Sequence, residues 1–339
     1  MKRHPPILWL CPIVLFATCC DEAEGPAPGK RLRVSGRAAL SQAPIVLADE
    51  GGYFRRQGIE IELVGLDNSE SLPSLIAGGM DVLAGQIQPR YFNAIARGAQ
   101  VRIVADKGHL DPAGCSYAAL VARKGLLREG RLPRPGPSKK WRIDVHPGTL
   151  GEFILDRALR AESVDPAWVE IAYVPAAASA EALSMGALDV TLALGAEVER
   201  CQRGGSGVVW LSAESLVPNL QLMGVLYGPS LLTKDPDAGR RFMVAYLQGV
   251  RQYNAGKTER NLEILGRRLR LDRQTLLASC WMPVRDDGRV DLESLLAIQA
   301  WAQGKGLQDR TLSAAEFWEP RFVELAAADL GPATTEVQR

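Results

Sequence analysis

The sequence predicts an α/β fold of two lobes, each a mainly parallel sheet with helices on both faces, with a cleft between the lobes. Three observations carry that expectation. Short apolar runs of strand length alternate with helical stretches, the pace of consecutive βαβ units. The pattern Leu-x-x-Gly-x-x-Asp-Val occurs twice, at Leu75 to Val82 and at Leu183 to Val190, each copy with a helical stripe before it and a polar turn after it. Between the copies the alternation stops after Lys107-Gly108-His109 and starts again beyond a Pro-rich basic loop, Arg131 to Pro137.

Each element has a local cause. Leu32 to Ser35 reads as a strand, and Ser41-Gln42-Ala43-Pro44 as the turn into a helix, with Ser41 or Gln42 as N-cap and Pro44 in the first turn. Ile45 to Phe54 carries its apolar residues on one face and ends at Arg55-Arg56, a favourable charge for a helix C-terminus, before Gly58 stops it. Ile59 to Val64 alternates with period two, as a half-covered strand does. Ser71 to Ala77 and Asp81 to Ala84 are the helix and strand of the first repeat, with Gly78 suited to the left-handed position that closes a helix. Tyr91 to Arg97 is a helix closed by Gly98, and Val101 to Ala105 is the next strand.

Ala118 to Ala122 is a strand with no helix before it, and it marks the passage to the second lobe. There follow a strand from Arg142 to Val145, the turn Pro147-Gly148-Thr149, a helix from Leu150 to Arg160 and a strand from Val169 to Val174. The second repeat and a strand from Val208 to Leu211 complete that series, and Leu222 to Tyr227 is a strand assigned back to the first lobe. Beyond Pro229 the chain is mostly helical, with Phe242, Tyr246, Val250 and Tyr253 on one stripe. The limits that follow are 31–121 plus 219–330 for lobe one and 122–218 for lobe two.

Length and composition agree with this plan. The 339 residues suffice for two domains of ordinary size, and 47% of them are hydrophobic. The net charge of +1 argues against nucleic acid as a partner. Residues 1–20 are a separate object: Lys2-Arg3-His4, an apolar run from Ile7 to Thr18, then Cys19-Cys20, the layout of a secretory signal. A Cys directly after the apolar run resembles a bacterial lipoprotein signal, with Cys19 or Cys20 as the lipidated residue. Phe16 or Ala17 stands where that signal usually has Leu. Residues 21–30 then read as a flexible tether, and acyl chains would hold the body at a membrane surface. Plain secretion is the alternative. The body keeps Cys115, Cys201 and Cys280, widely spaced, which permits one disulfide without choosing the pair, or three buried thiols.

Chemistry is sparse. His109 and His146 have no metal-site or catalytic partners nearby in sequence, no phosphate loop is present, and Asp286-Asp287-Gly288 lacks the spacing of a calcium loop. Neither a metal, a cofactor nor an enzyme activity is therefore expected. The candidate ligand-binding residues are polar groups at strand exits: Ser41, Gln42, Gln86, Gln88, His109, Thr149 and Glu197. Loops after strand C-termini are where open α/β sheets bind ligands. Four of them have a structural alternative: Ser41 and Thr149 as helix caps, Glu197 as an acid in a first helical turn, His109 as a solvated loop residue. Backbone amides beside Thr149 suit an anion such as a sulfonate or carboxylate. Glu197 suits an amine or nitrogen heterocycle.

Several blocks also resemble a known family. Ala43 to Ile61, Leu75 to Val82, Lys140 to Thr149 and Leu183 to Val190 are similar, in order, to ABC-transporter substrate-binding proteins of the nitrate/sulfonate/taurine and thiamine-precursor group. The family often carries Pro soon after the second repeat strand, where this chain has Leu194-Gly195-Ala196-Glu197. The resemblance implies a type II periplasmic-binding-protein fold, two lobes joined by two crossings around a small solute. It also implies an ABC permease and ATPase as partners, a monomeric body, and a periplasmic or cell-envelope location. The rival expectations are an enzyme on the same fold, a pyrimidine-precursor synthase or small-molecule lyase, and a ligand-sensing or lipid-binding module without a transporter.

Overall fold

A computed structural model describes residues 29–36, 39–66, 68–136 and 139–331. The signal segment, both candidate lipidation cysteines and the tether up to residue 28 lie outside the described residues. In lobe one, β1 (Lys30–Ser35), α1 (Ala43–Glu50), α2 (Tyr53–Arg56), β2 (Ile59–Val64), α3 (Asn68–Ala77), β3 (Val82–Gln86), α4 (Pro89–Ala96) and β4 (Arg102–His109) follow in turn. The second series is β5 (Ala118–Arg123), β6 (Trp141–Asp144), α5 (Leu150–Ala161), β7 (Val169–Ala172), α6 (Ala176–Ser184), β8 (Val190–Leu194), α7 (Ala196–Arg203), β9 (Gly207–Ser212) and α8 (Ala213–Leu216). β10 (Gln221–Tyr227) returns, and α9 (Pro236–Asn254), α10 (Glu259–Leu269), α11 (Arg273–Ala278), α12 (Leu292–Gly304), α13 (Ala314–Phe317) and α14 (Arg321–Leu330) finish the chain.

The strands form two five-stranded sheets of one design, ordered β2-β1-β3-β10-β4 and β7-β6-β8-β5-β9. In each sheet the first three strands are parallel, and the fourth in the order, β10 or β5, is antiparallel to both its neighbours. That antiparallel strand is in each case the first one laid down after the chain crosses from the other lobe. The expected boundary after residue 121 falls inside β5, which lies wholly in the second sheet. Ala118 to Ala122 are buried throughout, so their apolar run fits the interior of either sheet and names no partner. The expected single helix up to Phe54 is two, broken at Gly51-Gly52, where Gly52 takes the left-handed conformation.

The repeat is a structural joint used twice. α3 and α6 are each followed by a left-handed glycine, Gly78 and Gly186, whose turns place the next amides on carbonyls of the preceding helix. The Asp three residues later then brackets the second strand in the order of its sheet, β1 or β6. Asp81 accepts from Arg33 N at 2.8 Å and its own amide donates to Arg33 O at 2.9 Å. Asp189 accepts from Arg142 N at 3.0 Å and its amide donates to Arg142 O at 2.8 Å. The same carboxylate thus sets the register of β3 on β1 and of β8 on β6.

The crossings are clasped at both ends. Leu110 N donates to Leu220 O at 3.0 Å and Asn219 N to Leu110 O at 2.9 Å. At the lobe-two end the buried carboxylate of Glu214 accepts from Tyr117 N at 2.6 Å, Ala118 N at 3.0 Å and Ser212 Oγ at 2.6 Å. A disulfide between Cys115 and Cys280, with Cα atoms 5.6 Å apart, ties the first crossing to the helical tail, and Cys201 is a buried free thiol. The predicted stripe of Phe242, Tyr246, Val250 and Tyr253 is buried in α9. α9 lies against α1 so closely that a Cβ on Gly249 would come within 2.3 Å of Pro44 O. One apolar cluster runs across both lobes, joining Leu150, Phe153 and Ile154 of α5 to Leu295, Ile298 and Trp301 of α12.

Candidate functional site

Strand C-termini of both sheets converge on a cavity of about 280 Å³ between the lobes. Lobe one contributes Gln86 at the end of β3, and lobe two contributes Asp144, His146, Thr149, Tyr173 and Glu197 among others. Three of the expected residues, Gln86, Thr149 and Glu197, therefore share one wall system, because the repeat joints bring β3 and β8 to matching ends.

Asp144 braces the wall. It is buried, accepting from Val174 N at 3.0 Å, Ser179 Oγ at 3.2 Å and Thr191 Oγ1 at 2.7 Å. It fixes β6, β8 and the start of α6 to one another. His146 and Tyr173 meet with ring centroids 4.8 Å apart, and Tyr173 is 62% exposed. Together they make an aromatic lip at the cavity, with the Tyr173 ring open to solvent.

Thr149 is the N-cap of α5. Its Oγ1 accepts from Gly151 N at 3.2 Å and donates to His146 O at 2.6 Å. Gly148 N already donates to Glu152 Oε2 at 2.8 Å, and Glu152 N and Phe153 N to Thr149 O. Two of the amides around this helix start, those of Gly148 and Gly151, are thus engaged from within, the first by the carboxylate of Glu152 one turn along. Sequence reasoning saw the helix start but not the carboxylate folded back onto it.

Glu197 stands in the first turn of α7, paired with Arg200 at 3.0 Å. Its Oε2 is buried and has no hydrogen-bond partner among the described residues. Burial pushes the carboxyl above its ordinary range, against the opposing pull of Arg200. An unpaired carboxylate oxygen in a cavity wall is a cost to folding that a cationic N–H donor from a ligand would offset.

The other four expected residues are elsewhere. Ser41 O accepts from Lys107 Nζ at 2.6 Å. Gln42 is buried and donates through Nε2 to Ala84 O at 3.2 Å. Gln88 is buried at the N-cap of α4 and makes no side-chain cap bond. None of them, nor His109, is among the residues lining the interlobe cavity. His109 is not a solvated loop residue: β4 runs to residue 109, and the imidazole is buried with Nδ1 3.0 Å from Asp106 Oδ2.

Asp106 is the centre of a buried network that sequence reasoning missed. It also accepts from Gly108 N at 2.7 Å, Gln221 Nε2 at 2.6 Å and Arg285 N at 2.8 Å. Gln221 Oε1 in turn accepts from Asp291 N at 3.0 Å, the N-cap residue of α12. The network therefore joins the root of each crossing to the helical tail. Beside it, Lys107 is buried, and burial pushes its ammonium down to about 7, although the Asp106 carboxylate acts the other way. The available signal was a charged pair, Asp106-Lys107, continuing an apolar strand without a turn residue between.

Comparison with known proteins follows the same outline. Residues 40–120 match a family model described as NMT1/THI5 like. No curated protein matches the chain. Among solved structures, the chain is similar to the ligand-binding component of an ABC-type import system from Staphylococcus aureus with zinc bound, at 13% identity and TM-score 0.71, over 88% of this chain and 99% of that one. It is similar to a periplasmic sulfonate-binding protein from Methylobacillus flagellatus at 20% identity and TM-score 0.67, over 89% and 95% of the two chains. A desulfurization enzyme, DSZB, shares the fold at 13% identity and TM-score 0.65, over 89% of this chain and 100% of the other. At these identities the likeness shows the fold, the two-lobed architecture of periplasmic binding proteins, and that fold carries both transport and enzymatic members.

Proposed function

We propose that this chain is the solute-binding component of an ABC importer, taking a small amine-bearing, planar organic solute between its lobes and handing it to a membrane permease served by an ATPase. The observation that carries this is the cavity between two matched sheets, walled by Gln86 from one lobe and by Thr149, Tyr173 and Glu197 from the other. The family match over residues 40–120 and the import proteins among the fold relatives support the transport role. We further infer a periplasmic, monomeric body held to a membrane by a lipid on Cys19 or Cys20. Palmitate labelling tests the anchor, and wild-type protein without label would mean plain secretion.

The ligand class departs from the sulfonate named for one relative. Gly148 N and Gly151 N at the start of α5 are engaged by Glu152 and Thr149, and a buried carboxylate oxygen of Glu197 in the wall has no partner among the described residues. That combination favours a cation. Zinc is not the solute assigned, because no group of three His, Cys, Asp or Glu side chains converges among the described residues. A thermal-shift screen of the mature chain against nitrogen heterocycles, polyamines, sulfonates and sterols tests the class. Amines raise the melting temperature, and a shift confined to sulfonates or sterols contradicts the assignment.

The Glu197→Gln variant separates site from scaffold. Loss of a charge-assisted hydrogen bond weakens an amine hit by about 1.5–3 kcal/mol, roughly tenfold or more. The sign for stability is opposite. A carboxyl whose folded pKa is raised destabilises the fold at pH values above its unfolded value, 4.5, so Glu197→Gln stabilises the ligand-free protein at pH 7. Wild-type affinity for the amine falls as pH drops and protonates Glu197, whereas the variant shows no such dependence. Calorimetric titration between pH 5 and 8 checks both; equal affinities at pH 7 would remove Glu197 from the site.

A further inference from the structure

The turn 146–149, which carries His146 and Thr149 into the cavity, is held from the opposite lobe. Glu152 on α5 divides its two oxygens between two tasks. Oε2 accepts from Gly148 N at 2.8 Å, and Oε1 accepts from Lys305 Nζ at 3.0 Å. Lys305 follows the end of α12 in the lobe-one tail and also pairs with Asp156 Oδ2 at 2.9 Å. Trp301 Nε1 donates to the same Asp156 oxygen at 2.9 Å, and its ring meets Phe153 edge-on at 5.6 Å. Leu307 lies over the turn itself: a Cβ on Gly148 would come within 3.6 Å of it. Asn93 Nδ2 fixes Leu307 O at 2.7 Å to lobe one.

We propose that Lys305 is a positioning residue for the ligand site, acting from lobe one through Glu152 on the lobe-two turn 146–149, so that the seating of one lobe on the other sets the shape of the site. The physical reason lies in the two carboxylates. Glu152 and Asp156 stand four residues apart on one helix face, with side chains 13% and 19% exposed, and repel each other unless a cation sits between them. Without Lys305, Glu152 turns toward water, and Gly148 N loses its acceptor. An ordinary surface ion pair has no such consequence, since neither of its ends holds a binding loop. The inference rests on assigning the solute to the interlobe cavity, but the coupling itself needs no ligand.

Amide hydrogen exchange of the ligand-free mature chain tests it. In Lys305→Met, which keeps the stem and removes the charge, exchange of the Gly148 amide, the N–H of the turn that Glu152 holds, rises at least about fivefold, while β5 at 118–123 keeps its wild-type rate. Lys305→Arg restores the wild-type pattern. Trp301→Phe removes one bond to Asp156 and leaves Glu152 engaged, so the turn stays protected. Unchanged exchange of the Gly148 amide in Lys305→Met would overturn the proposal. So would an equal rise at 118–123, or a Trp301→Phe variant that loosens the turn as much as Lys305→Met does. A solute screen without a hit would count against the transport function and leave this measurement standing.

Discussion

Asp106→Ala lowers folding stability by about 3–5 kcal/mol, the loss expected when a buried charged group is cut away from its partners. The carboxylate is fully buried and accepts from Gly108 N, His109 Nδ1, Gln221 Nε2 and Arg285 N, with the Arg285 guanidinium 3.6 Å away. Removing it leaves donors from three separate segments unsatisfied in the interior, and each carries the desolvation cost of an unmade hydrogen bond. Asp106→Asn keeps the volume and one acceptor oxygen, so its loss is smaller than that of Ala. Urea unfolding followed by tryptophan fluorescence reads both midpoints. A midpoint for Asp106→Ala within error of wild type would mean that the network is spectator structure.

Loss of the Cys115–Cys280 bridge is the second large effect, about 2–5 kcal/mol. The link spans 165 residues of sequence, so it removes much chain entropy from the unfolded state. It also sits beside the Asp106 network. Just beyond Cys280, Met282 O accepts from Tyr253 Oη, Pro283 O accepts from His109 N, and Arg285 N donates to Asp106. Either change frees the same stretch of tail, so the combined variant Asp106→Ala with Cys115→Ser and Cys280→Ser loses less than the sum of the two losses. Wild-type protein in strong reductant reproduces the serine variant's urea midpoint. Strict additivity would mean that the bridge and the network act on separate parts of the molecule.

Local chemistry was legible in the sequence, and pairing between distant segments was not. Gly78 and Gly186 announce left-handed helix ends because only glycine adopts that conformation without strain, and both are left-handed. Asp81 and Asp189 were visible as repeat members, and their shared task on Arg33 and Arg142 emerges only once β1 and β6 lie alongside. β5 and β10 read as strands but not as antiparallel ones, since a mostly apolar run does not show which way it runs. His109 read as a loop residue because its partner Asp106 makes the strand longer than its apolar stretch. The helix start at Thr149 was legible too, but not the carboxylate of Glu152, which lies within the helix and folds back on Gly148 N. Gln86, Thr149 and Glu197 fell into the cavity because strand exits are a topological property, whereas Ser41, Gln42 and Gln88 follow strands too but do not line it, Gln42 and Gln88 being buried elsewhere.

The central claim is that two matched lobes hold one solute between them and leave it chemically unchanged. Titration calorimetry of the mature chain with its strongest amine hit, followed by mass spectrometry of the same sample, tests it directly. The account predicts one site per chain, affinity lost in Glu197→Gln, and a compound recovered at its original mass. A compound whose mass shifts progressively in the presence of the protein, or a binding isotherm indifferent to Glu197, would contradict it.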